Sequence, residues 1–277
     1  MKVLNGYADL SITGGCKVNR FIRDMKKYWN YTFYSAKSQL KTEVANSYLN
    51  WLWWILEPFC FMMIYALVFG FLFPHKQDYF NIFIFLGLAY WDFFNRCVKS
   101  AVRMVKRNKP VVAKVYLPKY TLIVSDMMVN GFKMLICFGI VALMLLFYRV
   151  PLTWNILLII PITCIMILFT FGCCCILLHL GVFIDDMSNV INIVLRFIFY
   201  LTGIFYNIEV SFKGIYGSLL LHLNPLACFI TNARRCVIYG QMPDFGTLGI
   251  WLAISIILCV FGVWNIYRSE NTYVKVI

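Results

Sequence analysis

The sequence predicts an all-α membrane protein with six transmembrane helices, an N-terminal amphipathic interface helix and two short re-entrant helices before the last span. Three observations predict it. The 277 residues are 62% hydrophobic and 13% charged, with mean hydropathy +0.76, which leaves too little polar surface to cover a soluble core of that size. Apolar stretches close to the ~20 residues that cross ~30 Å of hydrocarbon recur along the chain. Lysine and arginine, finally, segregate to one side of those stretches.

Residues 1–46 read as a cytoplasmic segment and residues 47–277 as the transmembrane domain. The opening is polar and basic, without a compact apolar core before a small-residue cleavage site, so the first long apolar run is expected to remain as an anchor. Between Lys17 and Val44, apolar residues recur at Val18, Phe21, Ile22, Met25, Tyr28, Trp29, Phe33, Ala36, Leu40 and Val44, with Arg20, Arg23, Lys26, Lys27, Lys37 and Lys41 among them. That spacing is close to the helical period. Such a helix suits the cytoplasmic interface, with its cations near anionic headgroups, or a place against another subunit.

The spans are expected at about 51–73, 79–94, 127–147, 156–180, 190–206 and 248–267. Eight cations lie between Met1 and Lys41, eight between Arg96 and Lys119, and Arg268 and Lys275 close the chain. The opposite side holds Lys76, Arg149, Lys213, Arg234 and Arg235. This bias places both termini and the loop after the second span in the cytoplasm. The net charge of +13 is thus mostly a topology signal, and no nucleic-acid partner is inferred. The outer connection from Asn207 to Gly246 holds the apolar pieces Ile215–Leu223 and Leu226–Ile238, divided by Asn224-Pro225. Each is too short to cross a bilayer, and proline blocks one continuous helix. Two re-entrant helices account for the pattern.

Catalytic chemistry is hard to find. The chain has no G-x-x-x-x-G-K-[ST] phosphate loop and no H-E-x-x-H. Its three histidines, His75, His179 and His222, are scattered, and Asp78, Glu209 and Asp244 form no close carboxylate pair outside the membrane. Most of the eleven cysteines lie in apolar spans, Cys173-Cys174-Cys175 among them, without zinc spacing. They read as small packing residues. No metal site and no catalytic residue is expected, and no cofactor on this chain.

Four segments carry a resemblance to the polysaccharide-exporting branch of the type-2 ABC permeases, which includes O-antigen, capsule and wall teichoic acid exporters. Leu40-Lys41-Thr42-Glu43-Val44 through Asn50-Trp51-Leu52-Trp53-Trp54-Ile55-Leu56-Glu57-Pro58 resembles the start of the family's first span. Lys109-Pro110-Val111-Val112-Ala113-Lys114-Val115-Tyr116-Leu117-Pro118 resembles its cytoplasmic loop between spans two and three. Asp186-Met187-Ser188-Asn189-Val190 resembles its Arg-Asp motif before span five, except that Asp185 stands where the family often has arginine. Leu223-Asn224-Pro225-Leu226, then Arg234-Arg235 and Gly240-Gln241-Met242-Pro243, resembles the segment before the last span. The resemblance covers about residues 35–270.

The resemblance implies a transport subunit of the bacterial cytoplasmic membrane. It implies a second copy of the chain as partner and two ATP-binding cassette subunits, which would hold the ATP and Mg, with a lipid-linked glycan or teichoic-acid-like polymer as cargo. The loop residues Pro110, Val111, Lys114, Tyr116 and Pro118 would dock on the ATPase. The first and fifth spans would frame a lateral opening toward lipid.

Charges inside spans are expensive and usually face protein or water. Glu57 in the first span is expected to pair with Arg196 of the fifth or Lys133 of the third, the Glu57–Arg196 pair serving as a lateral latch or only fixing helix packing. Trp54, Phe61, Tyr65 and Phe69 lie along one face of the first span, and Phe199, Tyr200 and Tyr206 belong to the fifth. With Lys133, Arg196, Arg234 and Arg235 they are the candidate lining of a substrate path, although aromatic belts also occur at membrane interfaces. A permease for a drug or simple lipid, a channel or carrier, and a membrane enzyme acting on lipid-linked sugar are the rival readings. The missing insertions, internal repeat and catalytic cluster respectively disfavour them.

Overall fold

The structure is a computed structural model and describes residues 14–45, 48–72, 79–112, 117–208 and 215–276. Among them it is helical throughout. The helices are α1 (Gly14–Val44), α2 (Trp53–Leu72), α3 (Phe80–Arg107), α4 (Lys109–Val112), α5 (Lys119–Phe147), α6 (Ile159–Phe183), α7 (Met187–Leu201), α8 (Ile215–Leu223), α9 (Pro225–Val237) and α10 (Phe245–Val276). Short 3-10 turns at Asn50–Leu52 and Trp154–Leu158 lead into α2 and α6.

Four of the described segments are long and apolar enough to cross a membrane: Trp53–Gly70, Lys119–Phe147, Trp154–Phe183 and Phe245–Glu270. α7 is a shorter apolar helix. α3 stands apart because Asp92, Asn95 and Arg96 interrupt its apolar run, and because it does not stop near residue 94 as the sequence suggests. It continues to Arg107, so Arg96, Lys99, Arg103, Lys106 and Arg107 are helical rather than loop residues. The last helix likewise continues through the expected tail to Val276.

α3 is the centre of the bundle, flanked by α2, α5, α6, α7 and α9. Every residue from Ile82 to Trp91 is buried, and Tyr90 hydrogen-bonds Thr163 of α6 at 2.8 Å. The most extensive helix pair is α6 with α10. Their approach depends on glycine: a Cβ on Gly262 would lie 2.6 Å from Cys175 Cβ, and one on Gly172 would lie 2.8 Å from Leu258 Cβ. Small residues let helices approach closely where lipid offers no hydrophobic driving force.

α2 and α7 are thinly covered. Among the described side chains, Met62 alone is buried on α2 and Leu195 alone on α7. α1 packs on α5 through Phe21, whose ring lies 4.9 Å from that of Tyr120, while Trp29, Phe33 and Tyr34 stay exposed. The chain breaks at Asn224-Pro225, as the sequence predicts. The Asn224 side chain accepts from Leu226 N and Ala227 N at 3.1 and 3.3 Å, capping α9 with proline at its first position.

Candidate substrate cleft and its charges

A cleft of about 420 Å³ opens between α2, α3 and α7. α2 contributes Phe61 and Tyr65, α7 contributes Leu195, Arg196, Phe199 and Tyr200, and α3 forms the floor. Five of the residues expected on a substrate path therefore meet here: Phe61, Tyr65, Arg196, Phe199 and Tyr200. Phe69 and Tyr206 adjoin them. Phe69 stacks on Phe205 with ring centroids 3.9 Å apart and planes 7° from parallel, and Tyr206 donates to the Tyr200 carbonyl at 2.8 Å. The chain reaches this position by turning at Gly203, whose φ of +67° lies where residues with a Cβ are strained.

The floor is a feature that sequence reading missed. Leu88, Trp91, Asp92, Asn95, Arg96 and Lys99 line the cleft from one face of α3. The signal was present as helical spacing from Leu88 to Lys99, but an expected span end near Phe94 split the pattern.

Glu57 does not pair with Arg196 or Lys133. Arg96 Nη2 donates to Glu57 Oε1 at 3.0 Å, and Lys133 Nζ lies 2.7 Å from Glu43 Oε2 at the end of α1. The reason is helix order. α2 packs against α3 and α5, so Arg96 is presented by its direct neighbour, whereas Arg196 stands on the far wall of the cleft. Trp54 is also outside the main cleft. It lines a smaller space of about 30 Å³ with Glu57, Arg96, Asn130 and Lys133, room for about one water, and its ring meets Phe132 edge-on at 5.6 Å.

Arg234, expected on the path, is buried instead. Its guanidinium donates to Phe83 O at 2.9 Å, Gly203 O at 2.7 Å and Ile204 O at 2.8 Å. It thereby satisfies the Gly203 and Ile204 carbonyls left open where α7 unwinds and ties them to the first turn of α3. Its neighbour Arg235 is half-buried and is not part of the cleft lining.

At its C-terminal end, α3 reaches the connection before α7. Lys106 Nζ donates to Asp185 Oδ1, and Arg103 Nη2 donates to Ser188 Oγ at 2.8 Å. The ammonium of Lys106 holds the Asp185 carboxyl below the ordinary carboxylate range, through the hydrogen bond first and its charge second. The acid at Asp185 is answered by a lysine on α3. Deeper on α5, Asp126 accepts from Ser100 Oγ at 2.7 Å and Asn130 Nδ2 at 3.1 Å, and pairs with Arg107 at 3.5 Å.

A second bracket joins α1, α5 and α10. Glu270 faces Lys119 at 3.7 Å and Arg20 at 3.9 Å, while Tyr267 donates to Asp24 at 3.1 Å. Of the expected coupling residues, Pro110 is exposed on the one-turn helix α4, and Pro118 is buried as the residue before α5. Val111 lies on α4, but its side chain is outside the described residues, as are Lys114 and Tyr116.

The described cysteines are all free, and no group of three or more His, Cys, Asp or Glu side chains suited to a metal occurs among the described residues. The arrangement offers a half-open, aromatic-walled cleft with a charged floor.

The comparisons agree with a passage. The ABC-2 type transporter family model matches residues 32–238. The chain is 24% identical over 252 residues to an O-antigen export system permease protein RfbA of Myxococcus xanthus, covering 91% of this chain and 96% of that one. It is 25% identical over 243 residues to one from Klebsiella pneumoniae, covering 87% and 93%. A second Klebsiella pneumoniae permease of that name is 26% identical over 245 residues. With a family match over most of its length, from the second half of α1 through α9, this chain belongs to the ABC-2 type transporter family.

Proposed function

We propose that this chain is the transmembrane subunit of an ATP-driven exporter that moves a lipid-linked polysaccharide, O-antigen-like or teichoic-acid-like, out across the bacterial cytoplasmic membrane. The carrying observation is similarity along nearly the whole chain to permeases named for O-antigen export. It acts as a passage, with ATP and Mg held by two separate ATP-binding cassette subunits.

In this reading α2, α3, α5, α6, α7 and α10 are the six spans, both termini are cytoplasmic, and α8 and α9 are re-entrant. α2 and α7 bury so little within one chain that a second copy is the natural cover for them, giving a homodimer with the conduit between copies. Tyr65, Phe199 and Tyr200 provide broad apolar faces with polar edges, suited to a sliding sugar chain. The α4 turn at Pro110 would dock on the ATPase.

Co-purification tests this. The chain is expressed with and without the ATPase encoded beside it, and the complex is assayed for stoichiometry, vanadate-sensitive hydrolysis and surface glycan. A two-plus-two complex and loss of surface polymer on deletion are expected. A chain that purifies alone and transports without ATP would overturn the proposal.

A further inference from the structure

The small recess of about 30 Å³ beside the main cleft is where charged stripes of three helices meet. Glu57 comes from α2, Asp92 and Arg96 from α3, and Asn130 and Lys133 from α5. Asp92 and Arg96 line the cleft as well, so both spaces share them. Arg96 is answered by Glu57 at 3.0 Å, and Lys133 by Glu43 at 2.7 Å. Asp92 makes no hydrogen bond or ion pair among the described residues. The Asn130 side-chain nitrogen donates to Asp126 O and Oδ2 at 3.0 and 3.1 Å. Its carbonyl oxygen is thus a second open acceptor among the described residues.

A carboxylate and an amide oxygen without donors are costly inside a membrane protein. The lining charges decide what can supply those donors. Glu57 and Asp92 stand against Arg96 and Lys133, two acids and two bases, so an added ion of either sign meets like charge. The occupant is therefore neutral, and the space has room for about one water. A water donates twice and accepts, and bound waters typically make about three hydrogen bonds. It can donate to Asp92 and Asn130 and accept from Lys133, whose ammonium has protons beyond the one given to Glu43.

We propose that Asp92, Asn130 and Lys133 bind an ordered water that bridges α3 to α5 beside Glu57 of α2. The Lys133–Glu43 pair extends the bridge to the end of α1. One polar chain of Asp92, water, Lys133 and Glu43 then joins the cleft floor to the N-terminal helix, with Asp92 as a positioning residue. The site is built from this chain's own residues and holds whatever the cleft carries.

The purified chain in phosphatidylcholine nanodiscs is given a short X-ray pulse, which turns water into hydroxyl radical where it lies. Methionine oxidation is then read by mass spectrometry. Met134 lines the recess yet is only 4% exposed, so a radical formed on a bound water is its route to oxidation. Met166, 0% exposed on α6, is the dry control, and Met242, 68% exposed, reports bulk solvent. Met134 should be oxidised where Met166 is not, and should stay so in a dissolved radical scavenger that protects Met242. Asp92→Ala should lower the Met134 label at least about threefold, the loss of one hydrogen bond. Asp92→Asn keeps an acceptor and should retain most of the label. A Met134 as silent as Met166 would overturn the water. Protection of Met134 by the scavenger would overturn it too, by assigning the label to bulk solvent. Unchanged labelling in an Asp92→Ala protein that melts like wild type would overturn the role of Asp92. Should Asp92→Ala fail to fold, the wild-type comparison of Met134 with Met166 and Met242 decides alone.

Discussion

The Arg234 guanidinium carbon lies 3.4 Å from the centre of the Phe83 ring, while two of its nitrogens donate to the Phe83 carbonyl. One side chain of α9 thereby grips both the backbone and the ring of the first turn of α3, and holds the end of α7 as well. Gly87 makes the room, since a Cβ there would fall 2.6 Å from Arg234 Nη2.

Arg234→Met is expected to be severely destabilising, because it strands the buried Gly203 and Ile204 carbonyls beyond the end of α7, which cost about 1–3 kcal/mol each when unpaired. Gly87→Ala should act in the same direction by displacing the guanidinium. Thermal unfolding in detergent checks both. A Gly87→Ala protein that melts like wild type would show the clamp to be dispensable.

Glu57 and Arg96 should be energetically coupled, whereas Glu57 and Arg196 should not. Double-mutant cycles with glutamine replacements are expected to give about 0.5–1 kcal/mol for the first pair, which is half-exposed. A cycle near zero is expected for the second. The reverse ranking would restore a latch between α2 and α7.

The Lys106–Asp185 pair predicts a pH dependence of defined sign. Because the folded carboxyl titrates below its unfolded value, the contribution of the pair is full above the unfolded pKa. It is lost as pH falls through the depressed folded one. Hydrogen-exchange protection around residues 184–187 should therefore drop on acidification in wild type and lose that dependence in Asp185→Asn. Asp185→Arg should loosen the segment at neutral pH by setting two cations together.

The α6–α10 seam should reject bulk selectively. Gly262→Leu is expected to cost at least about 2 kcal/mol, since overpacking a close contact forces backbone shifts. Gly249→Leu, on the same helix with nothing within 4 Å of its Cβ position, should be tolerated. Yield and melting temperature of the two variants decide.

Several features were legible from sequence because they are local. The break at Asn224-Pro225 follows from the missing proline N–H and the capping amide. The amphipathic α1 follows from spacing alone, and the membrane character from composition. Helix α3 was cut short for a related reason: hydropathy falls where Arg96 and Lys99 begin, although the helix persists to Arg107. A hydropathy profile reports solvent preference, not where a helix ends.

By itself the sequence determined that lipid is the solvent and which family the chain belongs to. These follow from transfer free energies and from motifs read along one dimension. Only the tertiary structure decided that Glu57 meets Arg96, 39 residues away, and that Arg234 closes on Phe83 at a separation of 151. Partners of buried charges are set by which helices become neighbours, and that depends on how small residues and aromatic faces pack together across the whole bundle.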